Sequence, residues 1–345
     1  MSKEFRRRNH YAPQFYLNHW VREGNICVYN ALVSSELVPM FQIKSPKGIA
    51  YIDHFYTNLE EKQESDEFEY WINTEVENPY LETQNKIFTE KKLTSDDYRN
   101  LVRYAMAQYL RVPKYYFDQF SSLASKMEKV LHETGEHAAK SIERIAKFNH
   151  SFPERVESDE NFRTVRFNVV SNQDGAYIEY KVLFARDVWL STIKRIVDQI
   201  VEKTKNHKWK IVKSLEGKSW VTSDNPVTLL RYKSKDNYDF KGAWAQKNVD
   251  IFMPISPQYL LYTAVGKNLT VENSERLQTL INKMIIENAF FQVYSTAPDS
   301  DIPRIRPRVV DEAEYKRIQE MLKSWHEVQT EGEHKFFDNN NSANP

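Results

Sequence analysis

The sequence predicts an α+β protein, with a mixed or antiparallel sheet of short strands from both chain ends packed around a central helical block. Three observations carry that prediction. Short runs rich in β-branched and aromatic residues, bounded by Pro, Asn, Asp or Gly, occur near the start of the chain and again after residue 206. Between about 66 and 206, apolar residues recur mostly at helical spacing. No regular strand–helix–strand alternation and no internal repeat is present, which argues against a parallel α/β sheet. We therefore read residues 1–296 as one discontinuous unit, with the helical block inserted between N- and C-terminal strands. Residues 297–330 then form an extension carrying a helix, and 331–345 a disordered tail.

The elements follow in order. Gly24-Asn25 ahead of Ile26, Cys27, Val28 and Tyr29 predicts a turn and a strand, and the apolar stretch 49–56 a second strand or a packed loop. Residues 66–88 read as a helix, with Phe68, Trp71, Ile72, Val76 and Tyr80 near helical spacing and Pro79 as a kink. Thr94 and Asp97 then form a capping box ahead of a helix. Its inner face is Leu101, Tyr104, Ala105, Gln108, Arg111 and Val112, and Val112-Pro113 ends it. A long amphipathic helix is expected over 114–148. Val165, Phe167 and Val169 alternate like a strand, 177–182 fits either type, and 188–205 is a helix. Short strands follow at 209–212, 220–222, 227–230, 251–253, 259–264 and 290–294, interrupted by a helix over 274–288. A last helix spans 312–327.

Composition excludes several classes of function. Only 8 residues are Gly, none of them close to another, so neither a P-loop nor a dinucleotide fingerprint exists and no nucleotide-cofactor motif is present. The single cysteine, Cys27, rules out an intrachain disulfide and Cys-based zinc sites. With no apolar signal segment and no long apolar run, the expectation is a cytoplasmic protein that does not enter membranes. Lys plus Arg and Asp plus Glu both total 48, so the chain lacks the excess positive charge of a general DNA binder. Arg304, Arg306 and Arg308 share one side of the stretch 303–308 if it is extended, which suits phosphate contacts or, more simply, a solvated edge.

Several tracts resemble a large bacterial family of unknown function, domain-of-unknown-function family 4238. Asn9-His10-Tyr11-Ala12-Pro13-Gln14-Phe15-Tyr16-Leu17 is similar to its opening His-Tyr-Val-Pro-Gln-Phe-Tyr-Leu. Phe55-Tyr56-Thr57, then Gln108 to Pro113 (QYLRVP), then Trp220 to Val227 (WVTSDNPV) and Phe252 to Pro257 (FMPISP) follow in the family's order. Val112 stands where the family has Thr, and Met253 is an insertion. The likeness covers about residues 5–296 and implies membership, with no activity to carry over.

The candidate chemistry lies in these tracts. His10 and Gln14 are an acid, base or ligand with a nearby amide, or else groups that dock the N-terminal segment. Gln108 and Arg111 lie on an apolar helix face, where a guanidinium needs an anionic ligand or an internal carboxylate such as Glu69, Asp224 or Asp53. Asp224 and Asn225 leave a short strand into a turn, where they serve as base, metal ligand or substrate contact, or simply as an Asx-turn. One expectation is an enzyme of hydrolase type acting on a nucleotide or phosphodiester. In it, His10, Asp224 and Arg111 are catalytic and Gln14, Gln108 and Asn225 hold substrate. The cofactor stays open: no two His have metal-ligand spacing, so a divalent metal would need distant residues such as His10, Glu69 and Asp224. The other expectation is a non-catalytic binding protein, in which the same residues form a buried polar network.

Overall fold

A computed structural model describes residues 7–60, 63–120, 165–172, 175–182, 186–234, 237–267 and 272–338, with Lys126, Lys129 and Glu133. The protein is α+β. The helix read over 114–148 is described continuously only to Phe120, and its remainder lies outside the described residues except at those three positions, which are helical. No described helix is long and apolar enough to cross a membrane.

The strands form two principal antiparallel sheets instead of one. In the first, Ile26–Asn30 lies between Phe41–Lys44 and Gln292–Ser295, and Thr222–Ser223 closes the far edge. A strand from near the start of the chain thus pairs with one from its last quarter, Asn30 opposite Gln292. The second runs in the order Lys210–Lys213, Tyr259–Ala264, Val249–Pro254, Thr228–Ser234, Asn237–Asp239. Its side chains alternate between two cores. Leu229, Ile251 and Leu261 face the helical block, with Leu101, Trp189 and Ile193. Their chain neighbours Leu230, Phe252 and Leu260 face Ile281 and Ile285 of the helix Glu275–Asn288. Burial on both faces explains why these strands read as apolar runs and lack a polar alternation.

The helix Ser95–Leu110 has the predicted capping box: Thr94 N–H donates to Asp97 Oδ2 at 2.8 Å and Asp97 N–H to Thr94 Oγ1 at 3.2 Å. Upstream, the stretch read as one helix is Glu67–Trp71, a π-helical Ile72–Glu77 and Asn78–Phe88. Pro79 has no N–H to offer the Glu75 carbonyl, and Arg103 Nη1 donates to that carbonyl instead at 2.9 Å. The ambiguous stretch after 164 is a hairpin, Val165–Asn172 with Gly175–Val182.

Three expectations are corrected here. Of 49–56, only Tyr51–Asp53 is a strand, because Ala50 and His54 on either side adopt left-handed φ of 53° and 56°. The arginines at 303–308 do not line an extended segment: Asp301–Ile305 is helical, with Pro303 in the first turn where its missing N–H costs nothing. Arg306 instead donates to the carbonyls of Ala289 and Phe290, and Arg308 to that of Val38. Finally, Glu312–Lys323 is followed by a second helix, Trp325–Asp338, so residues 331–338 are helical and not a disordered tail. Trp325 docks that helix against Phe55, Trp189 and Tyr116.

Candidate functional site

The buried face of Ser95–Leu110 carries Gln108 into the interior, and Arg111, which caps that helix at its C-terminus, is 2% exposed. Its Nη1 donates to Glu77 Oε1 at 2.8 Å, and Nε and Nη2 both donate to Gln108 Oε1, at 2.9 and 2.6 Å. The carboxylate expected among Glu69, Asp224 and Asp53 is therefore Glu77, presented by the π-helical turn. Burial works against the guanidinium charge, but Glu77 outweighs it and holds the Arg111 pKa above its ordinary value. Gln108 Nε2 donates to the Tyr11 carbonyl at 2.6 Å, seating the N-terminal tract. Tyr56 completes the knot: its hydroxyl donates to the Arg111 carbonyl, and its N–H to Asn9 Oδ1 at 3.0 Å. Asn9 Nδ2 in turn donates to Glu69.

Asp224 is also enclosed. Both carboxylate oxygens are occupied by backbone N–H groups, those of Phe290 at 2.7 Å, Phe291 at 2.6 Å and Gln292 at 2.9 Å. Burial raises its pKa, and these three donors only partly offset that. Asn225 Nδ2 donates to the Asn288 carbonyl at 2.9 Å. The turn here is closed by Ser223, whose hydroxyl accepts the Asn225 N–H at 3.1 Å, and not by the Asp224 side chain.

His10 sits on the short strand Arg8–His10, paired with Tyr51–Asp53, its ring 5.6 Å from that of Tyr51. Burial lowers its pKa, and its Nε2 is buried without a partner among the described residues. Gln14, half-buried, opens the one-turn helix Gln14–Leu17. In that helix Tyr16 donates to the Pro254 carbonyl at 2.9 Å and meets Thr222 Oγ1 at 2.6 Å. Thus the opening tract touches every other family-like tract: the second through Asn9, the third through Tyr11, the fourth and fifth through Tyr16. Among the described residues, no hydrogen bond or ion pair joins His10, Arg111 and Asp224 to one another.

The metal set suggested by the sequence does not assemble. The described residues instead group His54, Glu64 and His326, with ligand atoms within 4.8 Å of one another. Two features make this a hydrogen-bond relay and a poor metal site. Arg186 Nη1, always a donor, lies 2.9 Å from His326 Nδ1, so that nitrogen accepts and Nε2–H donates to Glu64 Oε1 at 2.8 Å. A metal on Nε2 would place the proton on Nδ1, donor against donor. The two imidazoles are also stacked, 4.2 Å apart at 22°, so their lone pairs do not converge. Arg186 itself is fully buried and paired with Glu333 at 2.8 Å. Nothing in the sequence pointed to this cluster: Arg186 and Glu333 are distant in the chain, and Glu333 falls in the stretch read as a tail.

A cavity of about 650 Å³ opens between the four-stranded sheet, the segment 48–53 and the helix Glu312–Lys323. None of the predicted site residues lines it. Their neighbours do: Tyr11, held by Gln108, and Phe291 and Gln292, held by Asp224.

Comparison with known proteins adds one finding. A family model described as "Protein of unknown function (DUF4238)" matches residues 8–299. No curated protein and no solved structure matches the chain.

Proposed function

The chain belongs to the DUF4238 family, and from that premise we propose that it is a cytoplasmic, non-catalytic binding protein whose family-like residues form a buried structural network. One observation carries this: the two groups best suited to phosphate hydrolysis are buried and bonded to partners inside the protein. All three nitrogens of the Arg111 guanidinium donate to Glu77 and Gln108, and both oxygens of Asp224 accept backbone N–H groups. An anion clamp and a general base each need a free valence facing substrate. The network's effect is architectural: it fixes the N-terminal tract and the 290–292 turn, and both contribute to the cavity wall. The single Cys27 fits a reducing environment and so supports the cytoplasmic reading.

The test is hydrolysis of RNA and of mononucleotides by the purified full chain, with Mg²⁺, Mn²⁺ or Zn²⁺ added. Wild type and Asp224→Asn should both stay at background, with the variant melting at lower temperature. A metal-dependent rate in the wild type, lost in Asp224→Asn at unchanged melting temperature, would overturn the reading in favour of a hydrolase.

A further inference from the structure

The wall of the 650 Å³ cavity contains a chain of side-chain amides with a definite polarity. Tyr294 Oη donates to Gln292 Oε1 at 2.7 Å, Gln292 Nε2 donates to Asn30 Oδ1 at 2.8 Å, and Asn30 Nδ2 donates to Gln42 Oε1 at 3.4 Å. Each amide oxygen in the chain therefore accepts one bond, and the series ends at the NH₂ group of Gln42, for whose N–H groups no acceptor is found among the described residues.

Lys44 stands two residues further along the same strand, Phe41–Lys44, and so on the same face as Gln42. That strand is an edge of its sheet. Lys44 is half-buried and, among the described residues, has no carboxylate within ion-pair distance; burial alone pushes its pKa down. Lys323, on the helix Glu312–Lys323, likewise lacks a carboxylate partner among the described residues; of the two carboxylates lining the cavity, Asp53 lies 3.8 Å from Arg8 and Glu320 stands on the same helix as Lys323. The wall formed by Phe41–Lys44 thus offers ammonium and amide N–H donors, while the lining carboxylates, Asp53 and Glu320, stand on other elements. An acceptor-rich anion is its chemical complement.

Size and lining define the rest of the ligand. A volume of about 650 Å³ lies within the ~300–1,000 Å³ range of small-molecule sites, and a bare inorganic anion would leave most of it unfilled. Tyr11, Tyr51, Phe291 and Tyr315 supply aromatic surface, and Gln319 a further amide. The chain has only 8 glycines and no phosphate loop, and Lys44 and Gln42 are the side-chain donors this wall offers an anion. We propose that this cavity binds a nucleoside monophosphate, with its phosphate against Lys44 and Gln42 and its base among the tyrosines. The proposal rests on the binding reading above and names its ligand.

The experiment is calorimetric titration of the full chain with adenosine 5′-monophosphate, adenosine and inorganic phosphate. The nucleotide should bind more tightly than either fragment. Lys44→Gln should weaken the nucleotide about tenfold, the effect of losing one charge-assisted hydrogen bond, and leave adenosine unchanged. Gln42→Glu, which turns donors into a carboxylate beside the phosphate, should abolish nucleotide binding. Both substitutions lie on an edge strand, and their melting temperatures serve as the folding control. No binding of the nucleotide at millimolar concentration, or equal affinity in wild type and Lys44→Gln, overturns the proposal. Binding followed by turnover of the nucleotide would uphold the site while overturning the non-catalytic reading, so the two fail separately.

Discussion

The Asp224 carboxylate accepts the N–H of Phe291 at 2.6 Å, across a gap of 67 residues in sequence. With the Phe290 and Gln292 N–H groups it closes a three-donor cradle that fixes the entry to the strand Gln292–Ser295. Asp224→Asn keeps one acceptor oxygen but turns the other position into a donor facing backbone N–H. We expect a loss of about 2–4 kcal/mol in unfolding free energy, from charge-assisted bonds lost and a buried donor left unpaired. Urea denaturation checks it. An unchanged midpoint would mean the cradle is not structural.

The capping box predicts acid sensitivity. Burial alone would raise the Asp97 pKa, but Lys86 at 2.6 Å and the Thr94 N–H and hydroxyl hold it down to about 2. A carboxyl depressed on folding contributes stability that is present above its unfolded value near 3.8 and lost as pH falls through about 2. That contribution is about 2 kcal/mol at neutral pH. Asp97→Asn should lower stability at pH 7 by that order and remove much of the difference between pH 4 and pH 2, measured by denaturant midpoints across that range.

The C-terminal helix should loosen in mild acid. His326 accepts from Arg186 and donates to Glu64, an arrangement that only the neutral imidazole satisfies. Burial, then the Arg186 charge, then the stacked His54, lower its pKa below the ordinary 6.5. The docking contribution is therefore complete above pH 6.5 and lost as pH falls through the lowered value. Amide hydrogen exchange within Trp325–Asp338 should quicken below pH 6, relative to the helix Ser95–Leu110. Exchange in the two helices that responds equally to pH would contradict this.

Gln108 predicts a graded effect on the N-terminal tract. Its Nε2 bond to the Tyr11 carbonyl is 2.6 Å, and its Oε1 serves Arg111 twice. Gln108→Glu preserves the acceptor for Arg111 and loses the donor to Tyr11; Gln108→Leu loses both. Limited proteolysis near the N-terminus should accelerate in both variants, while only Gln108→Leu should lose several kcal/mol in a denaturation curve, because it leaves two guanidinium nitrogens buried and unpaired.

How much of this was legible depended on the range of the cause. The helix Ser95–Leu110 was readable in full because its signals are local, namely Thr94, Asp97 and the 3-4 spacing of its buried face. Sequence also showed that Arg111 is buried and needs a partner. It could not show that the partner is Glu77, because that choice depends on the π-helical turn induced ahead of Pro79. The stretch 49–56 could be read as strand or packed loop, and its division into the strand Tyr51–Asp53 and flanking turns was hidden because left-handed Ala50 and His54 carry no glycine to mark them. The Arg186–Glu333 pair had no signal at all, since neither residue stands on a stripe that demands a charge. Phe41–Lys44, which carries Gln42 and Lys44, was missed because too few of its residues alternate in burial.

The proposal that the family-like residues serve the fold is put to its sharpest test by the buried Arg111–Glu77 pair. The measurement is a double-mutant cycle in urea using Arg111→Met, Glu77→Leu and the double variant. Breaking a buried pair from one side costs about 3–5 kcal/mol, whereas replacing both partners by apolar side chains costs much less than the sum. We expect two strongly destabilised single variants and a double variant that recovers part of the loss. Single variants with wild-type midpoints would contradict it, because a guanidinium poised for substrate can be removed without loosening the protein.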